Sequence, residues 1–215
     1  MNLRIDSPWI QTGIRITNIL ILNFWLVIGC LPVFTIGTSL IAAFSVALKM
    51  ADDRDESSIT RMFWRAWIEN LGHGMILTLL SAVVAWCIWM NFQLFTVLES
   101  APLMALLCGI IGCLLLYIHL LYAFALEARY ENSVWASLIN SRKICLRFFL
   151  QTLALSGILL IQVLLFTQTA GFMTYIGLFC APALMVYTIA KMALPLFAKI
   201  EKDAMASDGF SVAGV

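Results

Sequence analysis

The chain has 215 residues, 62% of them hydrophobic and only 12% charged, with a formal net charge of +1. Soluble domains carry about 25% charged residues, so half that level excludes a water-soluble globular domain, and a balance this close to neutral argues against a nucleic-acid partner. The six cysteines (Cys30, Cys87, Cys108, Cys113, Cys145 and Cys180) are scattered through apolar stretches with no C-x-x-C pair. There they act as small hydrophobes, and no metal site, cofactor or disulfide framework is expected.

In chain order, Met1–Arg15 is a short polar lead with Trp9 placed as an interfacial anchor. Ile16–Leu48 carries no charge and is too long for one span. Pro32 lacks an N–H and disfavours helix in the residue before it. Two short spans are therefore predicted, 14–31 and 35–49, meeting at a structural turn built on Pro32, Thr35 and Gly37. Thr35 is expected to cap the second span, and Gly37 to let backbones approach closely. Spans of about 16 residues cover only ~24 Å, less than the ~30 Å of bilayer hydrocarbon. Full crossing and a re-entrant hairpin both stay open. With no small-residue cleavage site, the first segment is expected to remain as an anchor.

The one strongly hydrophilic loop follows, with Asp52, Asp53, Asp55 and Glu56. It lacks the ligand order of a calcium loop and reads as solvated. Residues 58–70 have helical periodicity: Ile59, Met62, Phe63, Ala66 and Trp67 share one face, Arg61, Arg65 and Glu69 the other. Ser57 or Ser58 is a suitable N-cap. A basic stripe opposite Trp and Phe is the pattern of a helix lying in a membrane interface. Spans are predicted at 72–95 and 101–126, then a second interfacial helix at 133–147, capped by Asn132 or Ser133. Spans at 148–168 and 171–191 complete a single transmembrane domain over residues 1–200. The tail, 201–215, is small and polar and is expected to be unstructured. Each amphipathic helix leads into a spanning hairpin, the outline of a repeated unit.

The fold expected is thus an all-α polytopic bundle of six spans with two cytoplasmic interfacial helices. All 13 Lys and Arg residues fall on one side of that layout. Lys and Arg stay cytoplasmic, which places both termini inside, in the cytoplasmic membrane of a bacterium-like cell.

Polar side chains within spans are costly and mark candidate function. Asn18 and Asn23 lie in the first span, His73 begins the third, and His119 lies in the fourth. Glu127 and Lys191, at the inner ends of two spans, are expected to form an ion pair. Arg61, Trp64, Arg65, Trp67, Asn70, Trp135, Arg142 and Lys143 form the expected interfacial or partner-binding faces. No G-x-S-x-G, H-E-x-x-H or Walker run occurs, so no catalytic set is expected.

Three runs carry a family resemblance: Thr17-Asn18-x4-Asn23, Leu31-Pro32-Val33-Phe34-Thr35-Ile36-Gly37, and Phe63-Trp64-Arg65-Ala66-Trp67-x2-Asn70. They resemble the signature of the YesL family of small bacterial membrane proteins. Thr38 departs from it, standing where the family often has a second proline. The resemblance implies a role beside carbohydrate uptake, as an accessory or regulatory component bound to permease or ATPase subunits of an ABC importer. The alternative is that the chain is itself a small permease: Glu127–Ser133 faintly resembles the Glu-Ala-Ala coupling loop of importer permeases, without its Asp-Gly and later Pro. An intramembrane enzyme is the third reading, and no Asp occurs in any span to support it. The oligomeric state is left open.

Overall fold

The structure is a computed structural model that describes residues 8–52, 58–97, 103–130, 133–168 and 172–212. The acidic loop positions Asp53, Asp55 and Glu56, Asn132, and the side chains of Trp9, His119 and Cys180 lie outside the described residues. Every described element is helical: α1 (Pro8–Gly29), a 3₁₀ turn (Val33–Thr35), α2 (Ile36–Ala51), α3 (Ile59–Glu69), α4 (Leu71–Val97), α5 (Leu103–Arg129), α6 (Val134–Arg147), α7 (Phe149–Gln168) and α8 (Phe172–Val212).

Among the described residues, five segments are long and apolar enough to cross a membrane, namely Ile10–Gly29, Val33–Ala51, Leu71–Gln93, Leu106–Arg129 and Ala181–Asp203. A sixth arises if α6 and α7, which meet at 99°, count as one broken span. The chain is a helical membrane bundle. Its outer faces carry apolar side chains that water would not tolerate together, such as Leu79, Trp86, Leu150 and Leu160.

The centre of the bundle is α2, the shortest candidate span. Its 16 residues cover ~24 Å, and it packs against α1, α3, α4, α5 and α8. Ala42, Ala43, Ala47, Thr38 and Ser39 are fully buried. Without a hydrophobic force between helices in lipid, small side chains are what let backbones close on one another. Gly37 shows the limit of that approach: a Cβ there would lie 2.4 Å from the Gly74 carbonyl oxygen and from Thr78 Oγ1 on α4. The Gly37 N–H donates to Thr78 Oγ1 at 2.7 Å, and Thr78 donates to the Gly74 carbonyl at 2.7 Å. The contact thus joins α2 to α4.

Thr35 does not cap α2. Its backbone sits at φ −98°, ψ 5°, not in the extended region an N-cap needs. The hydroxyl donates back to the Gly29 and Pro32 carbonyls, both at 2.8 Å. Thr35 and Gly37 are buried, but Leu31, Pro32, Val33 and Phe34 are exposed, so only the inner half of the turn is enclosed.

Helices α3 and α6 begin alike. Ser58 accepts from the Arg61 N–H and Ser133 from the Ala136 N–H. The buried residues after each serine fall at the same offsets: Ile59, Met62, Phe63 and Ala66 in α3; Val134, Ser137, Leu138 and Ser141 in α6. These faces pack on the bundle, whereas Trp135, Ile139 and Leu146 of α6 stay exposed. Trp25 Nε1 donates to Thr60 and Trp67 Nε1 to Ser39. Trp25, Trp64 and Trp67 stack edge to face with centroids 5.4 Å apart, a geometry that favours the ring quadrupoles.

The largest departure is α8. Its 41 residues run unbroken through Pro182 and Pro195, so no structureless tail begins at residue 201. Proline interrupts a helix unless its freed backbone groups find other partners. Here the Asn23 side-chain oxygen accepts from the Ala183 N–H at 3.0 Å. Asn23, 2% exposed, is thereby explained as a backbone partner for the proline-disturbed turn.

Candidate functional site

Where α2, α3, α4 and α5 converge, the bundle encloses a cavity of about 580 Å³. The α2 helix contributes Ser45, α3 Arg65, Glu69 and Asn70, α4 His73, and α5 Glu127, Arg129 and Tyr130. The lining is polar because three helix ends meet there. Arg65 and Glu69, one turn apart, pair at 2.9 Å on the exposed face of α3. The Asn70 side-chain amide donates to the Ala66 carbonyl at 2.8 Å, which also accepts from the Asn70 backbone N–H at 3.1 Å, so the end of α3 is doubly tied there.

Glu127 is the centre of the site. It is 6% exposed, and a carboxylate so enclosed needs hydrogen-bonded partners to remain there. It has two: His73 Nδ1 at 2.6 Å from Oε1, and Ser137 Oγ, which donates to Oε2 at 2.5 Å. One side chain therefore ties α5 to the start of α4 and to the second turn of α6. The His73 side chain is 53% exposed and borders the cavity, so the clasp has one dry end and one wet end.

A second cluster closes the same end of the bundle. Arg129 reaches Glu201 through Nε at 3.2 Å and Nη2 at 3.4 Å, and Tyr130 donates to Glu201 at 2.6 Å. The Arg129 guanidinium also lies 5.7 Å from the Tyr130 ring centroid and 5.6 Å from that of Phe197, within cation–π range. Burial, with the hydrogen bond to Glu201, pushes the Tyr130 hydroxyl up to about 12.

The expected Glu127–Lys191 pair is corrected by this geometry. Helix α8 meets the end of α5 at Glu201, ten residues beyond Lys191, a distance of ~15 Å along a helix. Lys191 is exposed there, and the described partners of Glu127 are His73 and Ser137. His73 is engaged by Glu127, and the side chain of His119 lies outside the described residues. Asn18 is half-buried in α1. Of the expected partner-binding residues, Arg61, Arg65, Trp135, Arg142 and Lys143 are exposed, whereas Trp64, Trp67 and Asn70 are partly enclosed. Sequence reasoning missed Ser137, Tyr130 and Glu201. Ser137 had a legible signal, a small polar residue on the apolar face of an amphipathic helix.

The site brings together charges of both signs, matched as Arg65–Glu69 and Arg129–Glu201, beside the hydrogen-bonded His73–Glu127 contact. Among the described residues, no group of three or more His, Cys, Asp or Glu side chains is placed to hold a metal ion. What the arrangement can do is hold helix ends together through contacts that face water on one side.

A family model described as a protein of unknown function, DUF624, matches residues 16–92. This is the domain of YesL-type proteins, and the match spans the three runs that carry the sequence resemblance. It covers α2, α3 and most of α1 and α4, and so the Gly37–Gly74 contact and His73, but not Glu127. No curated protein and no solved structure matches the chain.

Proposed function

We propose that this chain is a non-enzymatic accessory or regulatory subunit of a bacterial carbohydrate ABC importer. In this reading it sits in the cytoplasmic membrane with both termini and the polar cavity facing the cytoplasm. The observation that carries the reading is the outer face of α6. Trp135, Ile139, Arg142 and Leu146 recur at helical spacing and are exposed, Trp135 at 66% and Leu146 at 75%. The other side of α6 is already used against α5, with smaller contacts to α7 and α4. A stripe combining tryptophan, arginine and aliphatic side chains has the composition of an interface centre. A sugar importer as that partner is what the resemblance to the YesL family implies; the DUF624 match itself carries no function.

The test is a mild-detergent affinity purification of the tagged chain from its own host, with mass spectrometry of the proteins retained. Importer permease and ATPase subunits should be recovered in near-equal amount, and Trp135→Ala with Leu146→Ala should release them. Recovery of the chain without transporter subunits refutes the reading.

A second reading, a small permease, draws on the cavity and its enclosed carboxylate, since ionisable groups inside membrane proteins often mark solute or proton pathways. Uptake of a labelled sugar by vesicles holding the purified chain alone would favour it over the first.

A further inference from the structure

A groove distinct from the cavity runs between α6 and the end of α8. It encloses about 330 Å³, with Leu126, Ile144, Phe197 and Ile200 as its apolar floor and Lys143 and Arg147 on its rim. We infer that this groove binds an anionic phospholipid, the acyl chain against the floor and the phosphate against the rim cations.

Three observations converge on that occupant. First, the groove opens where the chain enters lipid. Helix α7 leaves α6 at 99°, and Leu146, Phe149, Leu150 and Leu153, on either side of that bend, are all more than half exposed. Hydrocarbon thus lies directly beside the rim. Second, the charge is unbalanced. Lys143 and Arg147 line the groove with Glu201, Lys199 joins Arg147 at the Phe148 ring, and Asp203 is the second acid, beside Arg147. Both acids are already engaged: Glu201 by Arg129 and Tyr130, and Asp203 by Arg147 at 2.7 Å. Lys143 and Lys199 form no ion pair among the described residues. Third, the cations are held close together. The Arg147 guanidinium and the Lys199 ammonium stand 5.6 and 5.5 Å from the centroid of the same Phe148 ring. Basic pockets between helices at the cytoplasmic surface take phospholipid headgroups for this reason. A soluble phosphate would have no use for the apolar floor, and a neutral lipid none for the lysines.

The experiment uses the full chain purified in a neutral detergent, its unfolding midpoint followed by tryptophan fluorescence. Dioleoyl phosphatidylglycerol is titrated in, with dioleoyl phosphatidylcholine and inorganic phosphate as separate arms. A ligand of the folded state raises the midpoint saturably, and only phosphatidylglycerol should do so. Lys143→Gln with Lys199→Gln should raise the concentration required by about fivefold per lysine, ~25-fold together. The matching Lys→Arg pair should respond as wild type does. Arg61→Gln with Arg65→Gln, on the far helix α3, should leave the response intact. An equal effect of phosphatidylcholine or of phosphate overturns the assignment. So does a wild-type response from the Lys→Gln pair, or an equal loss from the α3 pair.

Discussion

Replacing Glu127 with alanine removes the acceptor shared by α4 and α6. Ser137 is fully buried, and a buried hydroxyl left without its acceptor costs about 1–3 kcal/mol. The His73 side chain is 53% exposed, so it turns to water and its loss is about 1 kcal/mol or less. Together the change should cost about 1–4 kcal/mol. Glutamine at the same position keeps an oxygen for Ser137 and offers an N–H to His73 Nδ1. It should cost about 1 kcal/mol or less. In a chain of this size about 1 kcal/mol moves an unfolding midpoint by roughly 2–4 °C. Tryptophan fluorescence in detergent should therefore show Glu127→Ala lower by roughly 2–16 °C, and always by more than Glu127→Gln, which drops by roughly 4 °C at most. Equal drops for the two variants would mean that shape or net charge, not hydrogen-bond acceptance, governs the site. An unchanged alanine variant would remove the clasp from the account altogether.

Lys191→Gln should leave the same midpoint unchanged while His73→Ala lowers it, because the partner of Glu127 is the histidine. Gly37→Ala places a methyl 2.4 Å from the Gly74 carbonyl and should cost about 1–3 kcal/mol, measured as loss of monodisperse protein on gel filtration. Asn23→Ala strands the Ala183 N–H and should cost about 1–3 kcal/mol, whereas Asn23→Asp, which retains the acceptor, should be milder. Tyr130 has its pKa raised on folding, so the stability it gives is complete below the unfolded value near 10 and is lost as pH climbs towards about 12. An alkaline unfolding series should show that decline in wild type, with Tyr130→Phe flatter across the same window.

The membrane character and the helix boundaries were legible because both are written locally. Charge-free runs mark α4, α5 and α7, and the capping serines Ser58 and Ser133 mark α3 and α6 within a residue. The pairings were not legible, because they depend on how distant helices cross. Glu127 was visible as a charge at a helix end, with Lys191 read as its partner at a matching depth. Only the passage of α8 beyond Lys191 to Glu201 excludes that pairing. The extent of α8 was itself hidden. Its last turns are small and polar, which reads as a tail. Asn23 and the bends of a long helix can carry proline when a neighbour supplies the missing bond, and that neighbour stands 160 residues away. The enclosure of α3 was missed for a related reason. An apolar stripe facing lipid and one facing protein look alike in sequence, and only the hydrogen bonds of Trp25 and Trp67 separate them.

The most direct test of the whole account is sidedness at the cavity mouth. Glu69→Cys, placed in a chain whose six native cysteines have been changed to serine or alanine, is exposed to a membrane-impermeant maleimide. The account predicts labelling in inverted vesicles and none in intact cells. Labelling in intact cells would put the cavity and the basic faces of α3 and α6 outside the cell, and would contradict a cytoplasmic site.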